Sequence, residues 1–180
     1  MRSILTALFA IILAFGLCSC DVLKEEPETD AEGYVKDDKP HFVITVNQLV
    51  KYPHAEIIEK EVDCFDGNTI WINTNFMLHS RNVEKVEIVP MPGNPKYYNL
   101  KIKLNRRGKM LWTQSSIGFK HSKVAFLVDG VCYRVFSAQE PDENGEWVMI
   151  EGPFHKYLAK GIAHYAESNY KLFNPSNTDL

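Results

Sequence analysis

Tyr97-Tyr98-Asn99-Leu100-Lys101-Ile102-Lys103-Leu104 alternates apolar and cationic side chains with a period of two. That period belongs to a strand with one buried and one solvated face. Leu100, Ile102 and Leu104 face inward; Lys101 and Lys103 face outward. Asn105 follows, and its side chain suits a helix N-cap. The helix it opens is expected over 106–116, with Gly108, Leu111, Trp112 and Ser115 on one face. A glycine on that face lets the helix lie close to a sheet.

Toward the C-terminus, 123–128 (KVAFLV) reads as a buried strand and 131–136 as its hairpin partner. Asp129-Gly130 between them is a turn pair that tolerates positive φ. A polar loop is expected over 139–145 and another strand over 147–150. Gly152-Pro153 is expected to break the chain, with Pro153 in the first turn of a helix from Phe154. Phe154, Leu158, Ile162 and Tyr165 form that helix's apolar stripe, and it ends near Tyr170.

Toward the N-terminus, 90–95 (PMPGNP) reads as a loop and 84–89 as a strand. A helical turn is expected over 75–80. Strands are expected over 69–72 and 57–65, joined by the Asp66-Gly67 turn, and over 42–46. The fold class is therefore α+β: a largely antiparallel sheet with two main helices packed on one face. The folded part, 41–174, is long enough for one domain with its own core. A short tail, 175–180, follows it.

From Tyr97 onward the chain resembles the P1 periplasmic region of SecD, a membrane component that assists protein export. The likeness rests on Leu100-Lys101-Ile102-Lys103-Leu104, Gly108, Val124-Ala125-Phe126-Leu127-Val128-Asp129-Gly130 and Ile150-Glu151-Gly152-Pro153-Phe154. A last helix with Ala159, Ala163 and Ala166 completes it. The return strand over 131–136 lacks the Ser-Ala-Pro-like element of that family, and the paired loop glycines are missing. No transmembrane bundle follows in this sequence, so proton-driven transport is not expected of it. The resemblance implies a fold and a polypeptide-contacting role, not an enzymatic activity.

The first 19 residues read as an export signal. Arg2 precedes an apolar run over 4–15 interrupted only by Thr6. That run is too short to span a bilayer, which needs roughly 20 residues. Leu17-Cys18-Ser19-Cys20 resembles the lipobox of bacterial lipoproteins. A thiol is needed to carry the diacylglyceryl group, and a small residue before it admits the signal peptidase. Cys20 is thus the expected lipid-modified first residue, with Cys18 removed. Acyl chains contribute roughly 0.8 kcal/mol per buried CH₂, so two or more of them anchor a protein durably. The expected location is the bacterial cell envelope, facing the periplasm or exterior, with the membrane as a partner.

Residues 20–40 combine that cysteine with an acidic stretch. Eight carboxylates face three lysines between Asp21 and Lys39, a balance of −5. So few apolar residues cannot offset the entropy of ordering, and a flexible tether reaching roughly 25 Å is expected. The whole chain carries −3. Removing Arg2 with the signal, and then the tether, leaves the domain near +1. Such a domain has no basic excess to hold nucleic acid.

Candidate chemistry in the domain is sparse. Cys64 and Cys132 are its two thiols, a candidate disulfide in an exported protein, with burial as free cysteines the plainer reading. The six histidines, His41, His54, His79, His121, His155 and His164, have no metal-ligand spacing, and no cofactor is expected. Glu151 is a conceivable acid but sits in the Gly-Pro corner. Arg106, Arg107 and Lys109 form a small basic cluster. Tyr97, Tyr98, Trp112, Tyr133 and Trp147 supply aromatic bulk that suits either a core or a groove for extended peptide or glycan. The expected function is a non-enzymatic binding or adaptor module for exported or envelope proteins. The alternative is an exported enzyme acting on a small molecule or cell-wall polymer.

Overall fold

A computed structural model describes residues 28–55, 57–118, 123–138 and 146–175. The export signal, Cys20, the start of the tether, the 139–145 loop, His121 and the last five residues lie outside the described residues. Two compact units are distinguished, 1–37 and 38–180. Within the first, the described end of the acidic stretch is a tight turn. Asp30 Oδ1 accepts from the Glu32 and Tyr34 amides at 2.9 and 3.0 Å, and Thr29 bridges Val35.

The second unit is α+β, as the sequence leads one to expect. Its strands are β1 (Ile44–Val50), β2 (Glu59–Asp63), β3 (Thr69–His79), β4 (Val83–Met91), β5 (Asn94–Leu104), β6 (Lys123–Val128), β7 (Val131–Ser137) and β8 (Trp147–His155). Its helices are α1 (Arg106–Gly118) and α2 (Lys156–Phe173), and a 3₁₀ turn occupies Ser80–Asn82. The strands form two antiparallel sheets, ordered β2-β3-β1-β6-β7 and β4-β5-β8. The main core lies where the sheets and helices meet. There Phe126 of the larger sheet packs edge-on against Phe154 of the smaller at 5.4 Å.

Elements governed by local chemistry fall where the pattern puts them. Leu100, Ile102 and Leu104 are buried and Lys101 and Lys103 partly exposed. Asn105 caps α1 by accepting the Gly108 amide at 2.7 Å. The backbone of Gly108 in turn lies against Asn82 of the 3₁₀ turn.

Four expectations are corrected. The segment 75–79 is not helical: β3 runs through it because β1 pairs along it, Thr45 with His79 and Asn47 with Phe76, and a helical turn begins only at Ser80. The 90–95 segment is not a loop. Pro92-Gly93 makes a two-residue turn, Gly93 takes φ +77°, and β4 and β5 pair up to Met91 and Asn94. Pro at the second and a positive φ at the third turn position is type II chemistry.

Gly152-Pro153 does not end β8. The peptide bond between them is cis, and the burial alternation Val148, Ile150, Gly152, Phe154 continues through it. Asn99 Oδ1 accepts the Gly152 amide at 2.8 Å where β8 bulges against β5. Phe154 is therefore the last inward residue of a strand, and the helix begins only at Lys156. β1 starts two residues later than expected, because Phe42 takes φ +50° and turns away from the ladder.

That turn is held from the opposite hairpin. Asp129 accepts the Phe42 amide at 3.1 Å and the Val43 amide at 2.7 Å, and its own amide donates to the Val43 carbonyl at 2.9 Å. The Phe42 ring is thereby laid on α2, stacked on Tyr165 at 5.7 Å and edge-on to Tyr157 at 5.8 Å. It lies directly over Gly161, where any Cβ would come within 2.5 Å of the ring. Beside it Asn169, buried on α2, exchanges hydrogen bonds with the His41 backbone at 3.3 and 2.7 Å.

The larger sheet curls until its outer strands approach. Cys64, just past β2, bridges Cys132 of β7 in parallel sense. Inside the curl lies a second, smaller core of Val62, Ile72, Ala125, Leu127 and Cys132.

Two measurements test this account. Asp129→Ala removes two charge-assisted hydrogen bonds, and is expected to cost about 2–3 kcal/mol in denaturant unfolding with an unchanged m-value. His79 accepts the Arg81 amide through Nδ1 at 3.0 Å. Burial, and then the Arg81 charge, hold its pKa below 6.5. The folded state thus disfavours the imidazolium, so this contribution to stability is complete above pH 6.5 and is lost as pH falls through the depressed value. His79→Asn is expected to flatten the fall in Tm measured from pH 7 to pH 5.

Candidate functional site

Six separate segments bring aromatic and apolar side chains to one depression. Phe42 comes from the turn before β1, Phe65 from the β2–β3 turn, Tyr97 from β5, Tyr133 from β7, Pro153 and His155 from β8, and Tyr157 and Leu158 from α2. They enclose about 380 Å³, within the range of ligand-sized clefts. Several are held there by identifiable contacts. The Asp129 hold turns Phe42 toward α2. The 64–68 turn, tightened by Asp66 accepting the Asn68 amide at 3.1 Å, lifts Phe65 clear of the sheet. The β8 alternation sends Pro153 and His155 outward.

The lining is aromatic and partly open to solvent. Phe65 is 75% exposed and Tyr157 69% exposed. Phe65 stacks on Tyr133 at 5.1 Å with 22° between the rings, and His155 meets Tyr97 edge-on at 5.7 Å. Polar character comes from the tyrosine hydroxyls and the His155 imidazole. Burial, reinforced by the Asp129 charge, raises the Tyr133 pKa, so its phenol is protonated and can donate at neutral pH.

A second recess of about 250 Å³ adjoins the first, lined by Cys64, Phe65, Asp66, Cys132, Tyr133, Arg134 and Val135. Phe65 and Tyr133 belong to both. Both cysteines are free thiols here. Burial, and next the adjoining Cys64, push the Cys132 thiol up to about 12. Cys132 is thus held as the protonated thiol at neutral pH, with the free Cys64 thiol beside it.

The other candidate residues are dispersed. Of the five aromatic residues singled out from sequence, Tyr97 and Tyr133 line the groove. Trp112 is fully buried and stacked near Phe136, and Tyr98 packs against the main core. Trp147 carries the Lys101 ammonium over its ring at 4.8 Å. Glu151 is exposed on β8, outside the groove lining. Lys109 pairs with Glu146 at 3.3 Å. Among the described residues no three His, Cys, Asp or Glu side chains gather as metal ligands. None of their helices is long and apolar enough to cross a membrane. Phe42, Phe65, Tyr157 and Leu158 carry no sequence signal as site residues, because only the tertiary fold gathers them.

No family model matches the sequence, and no curated protein matches it significantly. Solved structures do. One is a membrane component, SecDF, that enhances protein export, with a TM-score of 0.52 over 72% of this chain and 63% of that one, at 13% identity. The fold is SecDF-like. SecDF in a super-membrane-facing form matches with a TM-score of 0.51 over 70% of this chain, 18% of its own length and 13% identity. This chain thus spans less than two thirds of either SecDF chain. The structural likeness covers more than the stretch from Tyr97 in which the sequence resembles SecD.

Proposed function

We propose that this protein is a non-enzymatic binding module of the bacterial envelope, lipid-anchored through Cys20, which holds extended polypeptide segments in its aromatic groove. The groove carries the reading. Open aromatic faces beside a few polar groups suit a chain that presents apolar side chains and backbone amides in turn. The SecDF-like fold supports the same class of partner, since SecDF is described as a component that enhances protein export. The lipobox-like Leu17-Cys18-Ser19-Cys20 and the acidic stretch behind it account for attachment at a working distance from the bilayer. Exported or envelope proteins are the partners this arrangement fits.

The test uses an unfolded, alkylated model protein as the probe, titrated against the full chain. Saturable binding is expected, weakened about tenfold or more by Phe65→Ala or Tyr157→Ala, a loss of about 1.4 kcal/mol. Both side chains are largely exposed, so Tm should hold while affinity falls. Equal affinity of wild type and variants sinks the groove reading. The anchor is tested separately: Cys20→Ser is expected to move the protein from the detergent-requiring fraction to the aqueous one.

A further inference from the structure

The two outermost strands of the larger sheet are β2 and β7, and the chain places one cysteine at each where they come together. Cys64 and Cys132 are β-bridge partners, and the Phe65 amide donates to the Cys132 carbonyl at 2.8 Å. Paired strands lie about 4.8 Å apart, inside the roughly 4.4–6.8 Å between Cα atoms that a disulfide spans. Both side chains line the smaller recess, and their thiols hydrogen-bond to each other. The residue after each cysteine is a member of the ring stack that divides the two recesses: Phe65 follows Cys64 and Tyr133 follows Cys132.

We propose that Cys64 and Cys132 are joined in an intramolecular disulfide, which locks the curled sheet edge to edge and fixes the Phe65–Tyr133 wall of the groove. The oxidant is a protein or small-molecule disulfide met outside the cytoplasm. Cys64, the more accessible of the two, attacks one sulfur of that disulfide as a thiolate. A mixed disulfide forms and one oxidant thiol leaves. Cys132 then gives its proton to solvent and attacks the Cys64 sulfur of the mixed disulfide, breaking its bond to the oxidant sulfur, which leaves as the second thiol. The Cys64–Cys132 bond forms, the protein loses two electrons and two protons, and the oxidant ends as two thiols. The Cys132 thiol is held protonated partly by the charge of a Cys64 thiolate. That part of the barrier disappears once Cys64 sits in the mixed disulfide.

The inference stands apart from the binding reading, because it concerns the sheet and would hold whatever fills the groove. The experiment takes the full chain recovered from an oxidising compartment, alkylated in denaturant without reductant and digested. A single linked peptide pair containing Cys64 and Cys132 is expected, resolving into two alkylatable peptides after dithiothreitol. Alkylation of both residues without reductant overturns the proposal. Reduction is expected to lower Tm by roughly 5–15 °C in wild type and to leave Cys64→Ser and Cys132→Ala unchanged. Amide exchange at Phe65 should quicken at least tenfold on reduction, while exchange in α2 stays put. Linked peptides with an unaltered Phe65 amide would refute the locking of the groove wall.

Discussion

One carboxylate holds the two halves of this domain in register. Asp129 sits in the hairpin turn between β6 and β7 and accepts the amides of Phe42 and Val43 at 3.1 and 2.7 Å. A charged acceptor makes such bonds about twice as strong as neutral ones, enough to keep Phe42 at a φ of +50° that a bulky residue otherwise avoids. The consequence runs outward. β1 begins at Ile44, with its amide accepted by Ser80 Oγ at 2.8 Å, and the Phe42 ring is laid across Gly161 of α2. α2 itself packs against β4, β5 and β8. A turn of the larger sheet thereby positions the helix that covers the smaller one.

How much of this was legible in the sequence depends on what sets each element. The Asp66-Gly67 and Asp129-Gly130 turns, the Asn105 cap and the alternation of β5 are determined by residues within a few positions of one another, and they read correctly. β3 beyond Ile72 and β8 beyond Ile150 are determined by partners distant in the chain, whereas the Pro92-Gly93 hairpin is local and was obscured by the prolines that crowd its strand ends. A ladder with β1 overrides a 75–80 stretch whose Phe76-Met77-Leu78 run has no strand alternation. β8 carries on across Gly152-Pro153 because it bulges there against β5, with the Gly152 amide taken up by Asn99. The groove was half visible. Tyr97 and Tyr133 stood out as aromatic residues in strands, but Phe65 and Phe42 are displayed by turns whose direction no periodicity reports.

The site and the frame have different demands. The main core buries Trp112, Phe126 and Phe154 almost completely, whereas the groove leaves Phe65 and Tyr157 open to water. Solvent-facing rings contribute little to folding and are therefore free to be used for contact. Their placement is still exact enough to matter, since each is carried on an element fixed by a buried neighbour: Phe65 by the backbone bond to Cys132, and Tyr157 by the helix seated under Phe42. The arrangement joins a rigid scaffold to an adaptable aromatic surface, a combination suited to partners that share chemistry rather than sequence.

β6 carries a further consequence. Its odd and even residues enter different interiors: Val124, Phe126 and Val128 face the main core, and Ala125 and Leu127 the small one. A slip of one position would exchange the two sets. Phe126 would then be driven into a space shaped for Ala125 and Leu127, while a void opened opposite Phe154. The strand is a key cut on both edges, and only one insertion depth turns the lock. Its neighbours β1 and β7 are aligned by the same fit, so the register of the whole five-stranded sheet is written in the sizes of five consecutive side chains.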